Sequence, residues 1–307
     1  DPEILTTRAD DILEDPDIDV VVELMGGIAA AKQIISRALQ NRKHVVTANK
    51  ALLAHAGNEL FALAREMGRS IQFEASVAGG IPFIKSLREG LAANRIQTIF
   101  GILNGTANYI LTRMTDEGLS FQDALKEAQA RGYAEADPSL DIEGTDTAHK
   151  LSIAGAIAFG TPIQFDQVYI EGISKIDPVD IRFGEEFGYQ LKLLAIARNT
   201  DDGIEMRVHP TLIPNQHVLA SVKGAYNAVH IHGNAVGNIM LYGLGAGMMP
   251  TGSAVAADLM DLARDIQLGV PTRIPPLAFP EDRISPVPVK PMADVVTCYY
   301  FRFAAVD

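Results

Sequence analysis

Residues 18–27 read Ile-Asp-Val-Val-Val-Glu-Leu-Met-Gly-Gly. A β-branched run that ends in glycines is typical of a buried parallel strand and the turn that follows it. Similar runs lie at residues 43–48 and 69–75, and stretches of helical composition precede them at residues 29–39 and 51–67. Strands that alternate with helices in units of roughly 25 to 30 residues predict parallel βαβ units, so we expect half of a doubly wound α/β sheet.

The glycine fingerprint of nucleotide-binding folds is missing from this half. The pattern Gly-x-Gly-x-x-Gly is expected after the first strand of a dinucleotide-binding sheet, whereas Gly26 and Gly27 form only a tight turn. Either this is not a dinucleotide fold, or its first βαβ unit precedes Asp1. Residues 299–307 have an alternating strand pattern with no partner strand after it, so we expect truncation at both ends.

The rest of the chain mixes helices and strands without regular alternation. Strands are predicted at residues 96–104, 167–173, 206–213, 226–232 and 237–242, and helices at residues 84–94, 107–114, 120–131, 185–197 and 252–268. This pattern predicts an α+β part with an antiparallel or mixed sheet. Prolines recur between residues 270 and 291, which is typical of an extended linker or tail.

Composition disfavours several classes of function. A net charge of −12 over 307 residues, with no basic stripe, disfavours a nucleic-acid partner. The apolar run at residues 151–165 contains two glycines and a proline and is too short to span a membrane. The single cysteine, Cys298, permits no intrachain disulfide and suits a reducing compartment. We therefore expect a cytoplasmic protein with neither nucleic-acid nor membrane partners.

Residues 132–150 concentrate acidic side chains directly before an apolar segment. Because residues 151–159 draw the end of this loop toward the core, where unpaired charge is costly, we expect the acids to serve some chemistry. Asp146 and Lys150 are four residues apart on a helix that Thr145 would cap, so they share one face. The lysine could then exchange a proton with a substrate oxygen. A weakly stabilising ion pair on the surface is the ordinary alternative.

The remaining acids of this loop could bind an amine or a cation, or could simply be solvated. They are Glu135, Asp137, Asp141 and Glu143. Their spacing does not match a calcium-binding EF-hand loop, which needs acids at alternate positions, a glycine and a terminal glutamate. The seven histidines include no His-x-x-x-His pair on a helix, so we discount metal catalysis.

Three further segments could contact a ligand. Lys50 follows the strand at residues 43–48, at the edge where doubly wound sheets bind ligands, although exposed lysines are common where helices start. Residues 104–106 (Asn-Gly-Thr) offer backbone amides and a hydroxyl to a substrate carboxylate, or form an ordinary Asn-Gly turn. Residues 74–82 (Glu-Ala-Ser-Val-Ala-Gly-Gly-Ile-Pro) leave backbone groups free for a ligand or an ion.

Taken in order, these segments resemble the homoserine dehydrogenase family. The resemblance rests on residues 22–27 (Val-Glu-Leu-Met-Gly-Gly), 46–52 (Val-Thr-Ala-Asn-Lys-Ala-Leu), 74–82, 103–109 (Leu-Asn-Gly-Thr-Ala-Asn-Tyr), 132–150 and 243–251 (Gly-x-Gly-Ala-Gly-x-x-Pro-Thr). These segments span nearly the whole chain in the family's order, so chance does not explain the match.

The resemblance implies an enzyme that interconverts L-homoserine and L-aspartate 4-semialdehyde with NAD(P), on the route to threonine, isoleucine and methionine. It also implies a small-molecule substrate, a bound sodium ion and a homodimer or homotetramer. Two alternatives remain open at this point. One is a related dehydrogenase for another small amino or hydroxy acid, and the other is a catalytically incomplete module for substrate binding or dimerisation.

The resemblance also implies the site residues. It implies Lys150 as the proton donor and acceptor, with Lys50 and Asp146 as its catalytic neighbours. Substrate binding is implied for Glu135, Asp141, Gly105 and Thr106. Cofactor binding is implied for Gly26, Gly27, Thr47, Lys50 and Gly245. Sodium binding, largely through backbone carbonyls, is implied for Glu74, Val77, Gly79 and Ile81.

We therefore predict the α/β class, with a partial Rossmann-like doubly wound parallel sheet and an α+β domain for substrate binding and dimerisation. The predicted division has residues 1–76 as a nucleotide-binding domain without its first βαβ unit and residues 77–244 as the substrate-binding and dimerisation domain. Residues 245–275 return to the nucleotide-binding domain. Residues 276–307 are an extended linker and the start of a truncated regulatory (ACT) domain.

Overall fold

The computed structural model describes residues 4–270 and 273–303. The predictions for residues 1–3, for residues 271–272 of the predicted linker and for residues 304–307 of the predicted terminal strand lie outside these ranges. Within the described ranges, no helix combines the length and the hydropathy that a membrane-spanning segment requires.

A parallel three-stranded sheet forms from the first part of the chain. Its strands are β1 (Val20–Glu23), β2 (His44–Thr47) and β3 (Ile71–Gln72), in the order β1-β2-β3, and its helices are α1 (Ala9–Leu13), α2 (Ala29–Gln40) and α3 (Lys50–Glu66). Both strand pairs are parallel, which confirms the predicted βαβ units. Strand β2 is buried along its whole length, as expected for a parallel strand covered on both faces.

The predicted third strand is shorter than expected. It ends at Gln72, because Glu74–Ser76 form a turn of 3-10 helix. The N–H of Glu74 donates a hydrogen bond to the Asp258 carboxylate at 2.8 Å instead of to a neighbouring strand. The predicted helix at residues 84–94 is likewise broken into a short α4 (Phe83–Lys85) and a π-helical turn (Ser86–Gly90).

A mixed six-stranded sheet forms from the rest of the chain. Its elements are β4 (Ile96–Ile102), α5 (Gly105–Glu117), α6 (Phe121–Ala130), α7 (Ser139–Ile142), α8 (Thr145–Phe159), β5 (Tyr169–Ile170), α9 (Pro178–Glu186), β6 (Tyr189–Thr200), β7 (Gly203–Pro214), β8 (Tyr226–Gly233), β9 (Gly237–Leu244) and α10 (Met248–Gln267). The strand order is β5-β7-β6-β4-β8-β9, and every pair except β5 with β7 is antiparallel. The predicted α+β part is thereby confirmed.

The helix predicted at residues 185–197 is wrong. Most of that stretch belongs to β6, which pairs along its whole length with β7 and on its other side with β4. Leu193 and Ala195 pack in the main core, whereas Leu194 and Ile196 pack in a second, smaller core. A central strand buried on both faces gives a nearly continuous apolar run, which periodicity cannot distinguish from a buried helix.

Helix α8 connects the two sheets. It contacts α3 beside the parallel sheet as well as β6 and β7 of the mixed sheet. Gly155 permits this close approach, since an added Cβ would lie 2.7 Å from the sulfur of Met206. Helix α10 then packs against β2 and the turn at Glu74–Ser76. The charged N-terminal turn of α8 is therefore held between elements of both sheets.

The proline-rich segment is docked on the mixed sheet. The N–H of Ile204 donates to the carbonyl of Pro288 at 2.9 Å, and the N–H of Lys290 donates back to Ile204 at 2.8 Å. Beyond it, the alternating residues 299–303 form no strand within the described part of the chain. Alternation alone does not make a strand, because a strand needs a partner for its backbone hydrogen bonds.

Candidate active site

Helices α3 and α8 bring two lysines to one carboxylate. Oδ2 of Asp146 accepts a hydrogen bond from Nζ of Lys150 at 2.7 Å, and its Oδ1 lies 3.1 Å from Nζ of Lys50. Asp146 and Lys150 are buried, whereas the side chain of Lys50 is 39% exposed. The exposed ion pair that the spacing allowed is therefore excluded. Thr145 is the first helical residue rather than the predicted cap, because Gly144 occupies the cap position.

The charges of this group stabilise one another. Burial alone would raise the pKa of the Asp146 carboxyl, but Lys150 and Lys50 hold it well below its usual range. The Asp146 carboxylate in turn raises the pKa of Lys50, although burial opposes that change. At neutral pH the group thus contains an aspartate anion and a Lys50 cation, and a substrate meets fixed charges there.

Lys150 has donor capacity left over for a substrate. Its ammonium group carries three hydrogens. One is donated to Asp146 and another to the backbone carbonyl of Leu103 at 2.7 Å. The third has no hydrogen-bond partner among the described residues. The lysine is consequently oriented by two acceptors while one N–H remains for an incoming oxygen atom.

Asn104 joins two of the candidate acids. Its side-chain oxygen accepts from the N–H of Ala107 at 2.7 Å and so caps α5. Its Nδ2 donates to Oδ1 of Asp141 at 2.7 Å and to Oδ2 of Asp146 at 2.9 Å. Burial raises the pKa of Asp141, and the hydrogen bond from Asn104 opposes that rise. The Asn-Gly pair is therefore a helix start that holds two acids rather than a plain turn.

The other candidate substrate-binding residues lie around this group, and they differ in how tightly they are packed. Gly105 packs so closely that an added Cβ would lie 2.7 Å from the carbonyl oxygen of Ala225. The hydroxyl of Thr106 donates to the carbonyl of Tyr133 at 2.6 Å. Glu135 is exposed, and after Asp146 it is among the carboxylates that raise the pKa of Lys50. The structure thus places Glu135 in electrostatic range of Lys50.

The cofactor candidates at the carboxyl edge of the parallel sheet share a hydrogen-bond network. The Thr47 hydroxyl donates to the Glu23 carboxylate at 2.6 Å and accepts from the N–H of Asn49 at 3.0 Å. The amide of Asn49 donates to the carbonyl of Gly27 at 2.8 Å. An added Cβ at Gly26 would meet no atom within 4 Å, so open space borders the turn. An open glycine turn at this edge fits a bound nucleotide.

Two family models match the chain. Residues 82–260 match the model described as homoserine dehydrogenase, and residues 1–74 match the homoserine dehydrogenase NAD binding domain. The chain belongs to the homoserine dehydrogenase family. The resemblance predicted from the sequence is confirmed, and so is the expectation of an NAD(P)-binding oxidoreductase that acts on a small molecule.

Individual relatives agree with this assignment. The homoserine dehydrogenase of Neisseria gonorrhoeae is 54% identical over 95% of this chain and 67% of its own length, and that of Pseudomonas aeruginosa is 52% identical over 99% and 70%. The crystal structure of a homoserine dehydrogenase from Thiobacillus denitrificans has a TM-score of 0.92 at 55% identity, over 94% of this chain and 67% of that one. A hyperthermophilic archaeal homoserine dehydrogenase in complex with NADPH has a TM-score of 0.73 at 29% identity, over 85% and 76%.

In the segment that the homoserine dehydrogenase resemblance implies for sodium binding, the side chain of Glu74 already accepts hydrogen bonds from the backbone. Both carboxylate oxygens of Glu74 accept backbone hydrogen bonds, from Ile84 at 2.9 Å and from Lys85 at 2.8 Å. Burial raises the pKa of Glu74 to about 7 although these amides oppose it. No group of three metal-ligating side chains occurs in the part of the chain that the structure describes. Any ion here would therefore be held by backbone carbonyls, which hard cations accept.

Gly245, the last candidate cofactor-binding residue that the homoserine dehydrogenase resemblance implies, takes part in a close packing contact. Gly245 packs on the backbone of Gly79 and on the side chain of Asn227, and neither contact leaves room for a Cβ. It therefore joins the turn before α10 to the predicted sodium segment.

Sequence reasoning missed the supporting roles of three side chains that lie in the quoted segments. Glu23 and Asn49 hold the glycine turn and the end of β2 together, and Asn104 holds the two acids. The sequence signal for Asn49 and Asn104 was present, because each directly precedes a helix and caps it. Their second hydrogen bonds reach residues that are distant in the sequence, which no local pattern shows.

Proposed function

We propose that this chain interconverts L-homoserine and L-aspartate 4-semialdehyde with NAD(P), and that Lys150 exchanges the proton. The observation that carries the proposal is the Lys150 ammonium, which Asp146 and Leu103 orient and which keeps one N–H available. When bound, NAD(P) supplies or accepts the hydride. The protein must then supply or remove one proton at the substrate oxygen.

The proton moves from Lys150 to the substrate in one direction of the reaction and from the substrate to Lys150 in the other. When the aldehyde is reduced, Lys150 donates a proton to the carbonyl oxygen as the hydride reaches the carbon, and the product is an alcohol. When the alcohol is oxidised, the neutral amine of Lys150 takes the hydroxyl proton. Asp146 remains an anion throughout and keeps the lysine in place, and the cation of Lys50 stabilises negative charge that develops on the oxygen.

The acids around the lysines support recognition of an amino acid. Glu135 and Asp141 offer carboxylates to the substrate ammonium. The N-terminal turn of α5, which begins at Gly105 and Thr106, offers backbone N–H groups and the positive end of the helix dipole to the substrate carboxylate. The ammonium and the carboxylate share the α-carbon, so these contacts would fix that end of the substrate and leave the reacting carbon at its other end, near Lys150.

Several further features are part of the same proposal. Gly26, Gly27, Thr47, Lys50 and Gly245 would contact the cofactor. Backbone carbonyls of Glu74, Val77, Gly79 and Ile81 would hold a sodium ion. The protein would work as a homodimer or homotetramer in the cytoplasm, on the route to threonine, isoleucine and methionine. Residues 1–76, 77–244, 245–275 and 276–307 would form the four parts predicted from the sequence.

A pair of matched substrates tests the proposal. NADPH oxidation by the full-length protein is followed with L-aspartate 4-semialdehyde and with succinate semialdehyde, which has the same carbon skeleton without the ammonium group. We expect kcat/KM to be at least about 100-fold lower for succinate semialdehyde, because the acids of the site would be left without their partner. Equal values would favour a dehydrogenase for another small acid. No turnover and no saturable NADPH binding would favour an incomplete module.

A further inference from the structure

A cavity of about 470 Å³ lies apart from the lysines and Asp146, none of which lines it. Its walls come from α3, from β3 and from the proline-rich segment after residue 273. Most of the lining is apolar, with Phe61, Ile71, Leu277 and Phe279 around the space. A space of this size and character is typical of a site for a small organic ligand.

The polar part of the wall is cationic. Arg65, Arg69 and Arg88 line the cavity, and Glu281 is the one acid among its described lining residues. Arg65 and Glu281 form an ion pair at 2.5 Å and so largely neutralise each other. Glu89 likewise offsets part of the charge of Arg88. Arg69 donates to the backbone carbonyls of Arg42 and Gly68 and forms no ion pair with a described residue. The cavity wall therefore keeps a positive charge at Arg69, which favours an anionic ligand.

Arg88 carries an unmet hydrogen-bonding demand. The residue is 5% exposed, and its Nε has no hydrogen-bond partner among the described residues. Its Nη2 donates to Gln72 at 3.1 Å and lies 3.3 Å from a carboxylate oxygen of Glu89, which does not line the cavity. A buried guanidinium donor without an acceptor is costly. Because less than 1 Å² of Nε is exposed, a carboxylate in the cavity would supply that acceptor only after the Arg88 side chain turns toward it.

Unusual backbone borders the cavity on two sides. Arg88 projects from the π-helical turn Ser86–Gly90, and such turns occur frequently at functional sites. Ala278, between the lining residues Leu277 and Phe279, has a φ of 67°, in the left-handed region that alanine rarely adopts. Strained backbone of this kind clusters at ligand sites, where the surrounding structure enforces it.

We propose that this cavity binds a small apolar carboxylic acid. The carboxylate would accept hydrogen bonds from Arg88 and Arg69, and the hydrocarbon body would pack against Phe61, Ile71 and Leu277. A phosphate is disfavoured, because two guanidinium groups in a mainly apolar space do not solvate a dianion. The site is independent of the proposed reaction, since it shares no residue with it.

The chain contains no tryptophan, which gives a clean reporter. Phe279→Trp in the full-length protein places an indole at the cavity wall, and its fluorescence is titrated with 3-phenylpropanoate, 3-phenylpropanamide and inorganic phosphate. The same titrations of the unaltered protein give the background signal. We expect saturable binding of the acid, about tenfold weaker binding of the uncharged amide and no competition by phosphate. Saturation-transfer NMR on the unaltered protein confirms that the acid binds without the reporter.

Arginine variants locate the binding. Arg88→Gln and Arg69→Gln should each weaken binding of 3-phenylpropanoate about tenfold, whereas Arg264→Gln, on α10 outside the cavity lining, should not change it. Thermal unfolding shows whether each variant folds. If Arg88→Gln does not fold, the binding of the acid to Arg69→Gln and the comparison of acid with amide test the proposal. The proposal is overturned if the acid shows no saturable binding, if acid and amide bind equally well, or if the folded arginine variants bind like the unaltered protein.

Discussion

Asp146 is the residue on which the electrostatics of the site depend, because its carboxylate contacts Lys150, Lys50 and Asn104. Asp146→Asn keeps the shape and removes the charge. We expect the pKa of Lys50 to fall, since the Asp146 carboxylate is the main cause of its raised value. In the pH profile of kcat/KM, activity on the basic side should therefore be lost at a lower pH than in the unaltered protein. We also expect kcat to fall about 100-fold.

A matched control separates this effect from general damage. Asp116 pairs with Lys223 on the surface, so Asp116→Asn should leave the profile unchanged. An unshifted basic side in Asp146→Asn would show that the carboxylate does not control the lysine.

A second prediction at the residue scale concerns Asn104, because its amide donates hydrogen bonds to both Asp141 and Asp146. Asn104→Asp preserves the helix cap but replaces a donor by a third carboxylate. We expect Asp141 and the new acid to repel each other and KM for the amino-acid substrate to rise about tenfold. Asn104→Ser, which keeps a capping oxygen without charge, should raise KM less. Equal KM values in both variants would contradict the positioning role.

The sequence predicted part of this site and not the rest. Asp146 and Lys150 are one helical turn apart, so their contact follows from helix geometry. The contacts of Asn104 cross 37 and 42 residues. They depend on how α5, α7 and α8 pack together, and the Asn-Gly pair by itself is equally typical of a turn.

At the scale of elements, α3 and α8 meet through an aromatic contact. The ring of His149 lies 5.4 Å from that of His55 and 4.6 Å from that of Phe165. Burial, together with the neighbouring His55, lowers the pKa of His149 to about 4. In the unfolded chain a histidine titrates near about 6.5. Between these values the unfolded state binds more protons, so His149 makes the fold less stable as the pH falls from about 6.5 toward 4.

Removing this histidine should flatten that part of the stability curve. For His149→Phe, which keeps an aromatic ring in the contact, we expect the loss of unfolding free energy between pH 7 and pH 4.5 to shrink by on the order of 2 kcal/mol. Urea denaturation at several pH values measures it. His232→Gln, at the partly exposed end of β8, is the control and should keep the original slope. The same slope in His149→Phe would contradict the assignment.

Element prediction succeeded where one face of an element is exposed. The hairpin of β8 and β9 and the helix α6, with Ser120 as its cap, follow from alternation and capping residues. It failed for β6, where burial on both faces removed the alternation. The apolar run of residues 191–197 fits a buried strand and a buried helix equally well, and only the neighbours β4 and β7 decide between them.

At the scale of the whole molecule, the proline-rich segment packs against the mixed sheet at Gly203. Gly203 has a φ of 138°, and an added Cβ would lie 2.5 Å from the carbonyl oxygen of Pro288. Gly237 also begins a hairpin strand, with a φ of 73°, but an added Cβ there would meet nothing within 4 Å. Both positions disfavour alanine through their backbone, and only Gly203 adds a collision.

We therefore expect Gly203→Ala to lose about 1–3 kcal/mol more unfolding free energy than Gly237→Ala. The amide hydrogens of Ile204 and Lys290, which bond across this contact, should also exchange faster in Gly203→Ala alone. Denaturant unfolding and hydrogen exchange measure the two effects. Equal losses in both variants would show that the segment does not depend on this contact.

The architecture of the whole molecule was predictable in kind. Alternating strands and helices predicted the parallel sheet, and irregular alternation predicted the mixed one. The junction between the two sheets was not predictable, because it depends on the fit of Gly155 in α8 against Met206 in β7. The contact of the proline-rich segment with the mixed sheet could not be predicted either, because its partner Ile204 is distant in the sequence.

The central claim is that Lys150 exchanges the proton, and turnover by Lys150→Met in the full-length protein tests it most directly. Lys50 would still pair with Asp146, so the variant leaves no isolated charge. With L-aspartate 4-semialdehyde and NADPH, we expect kcat to fall by at least about 1,000-fold while NADPH binding persists. Lys223→Met, a surface control, should retain full activity. A Lys150→Met kcat within about tenfold of the unaltered enzyme would contradict the account.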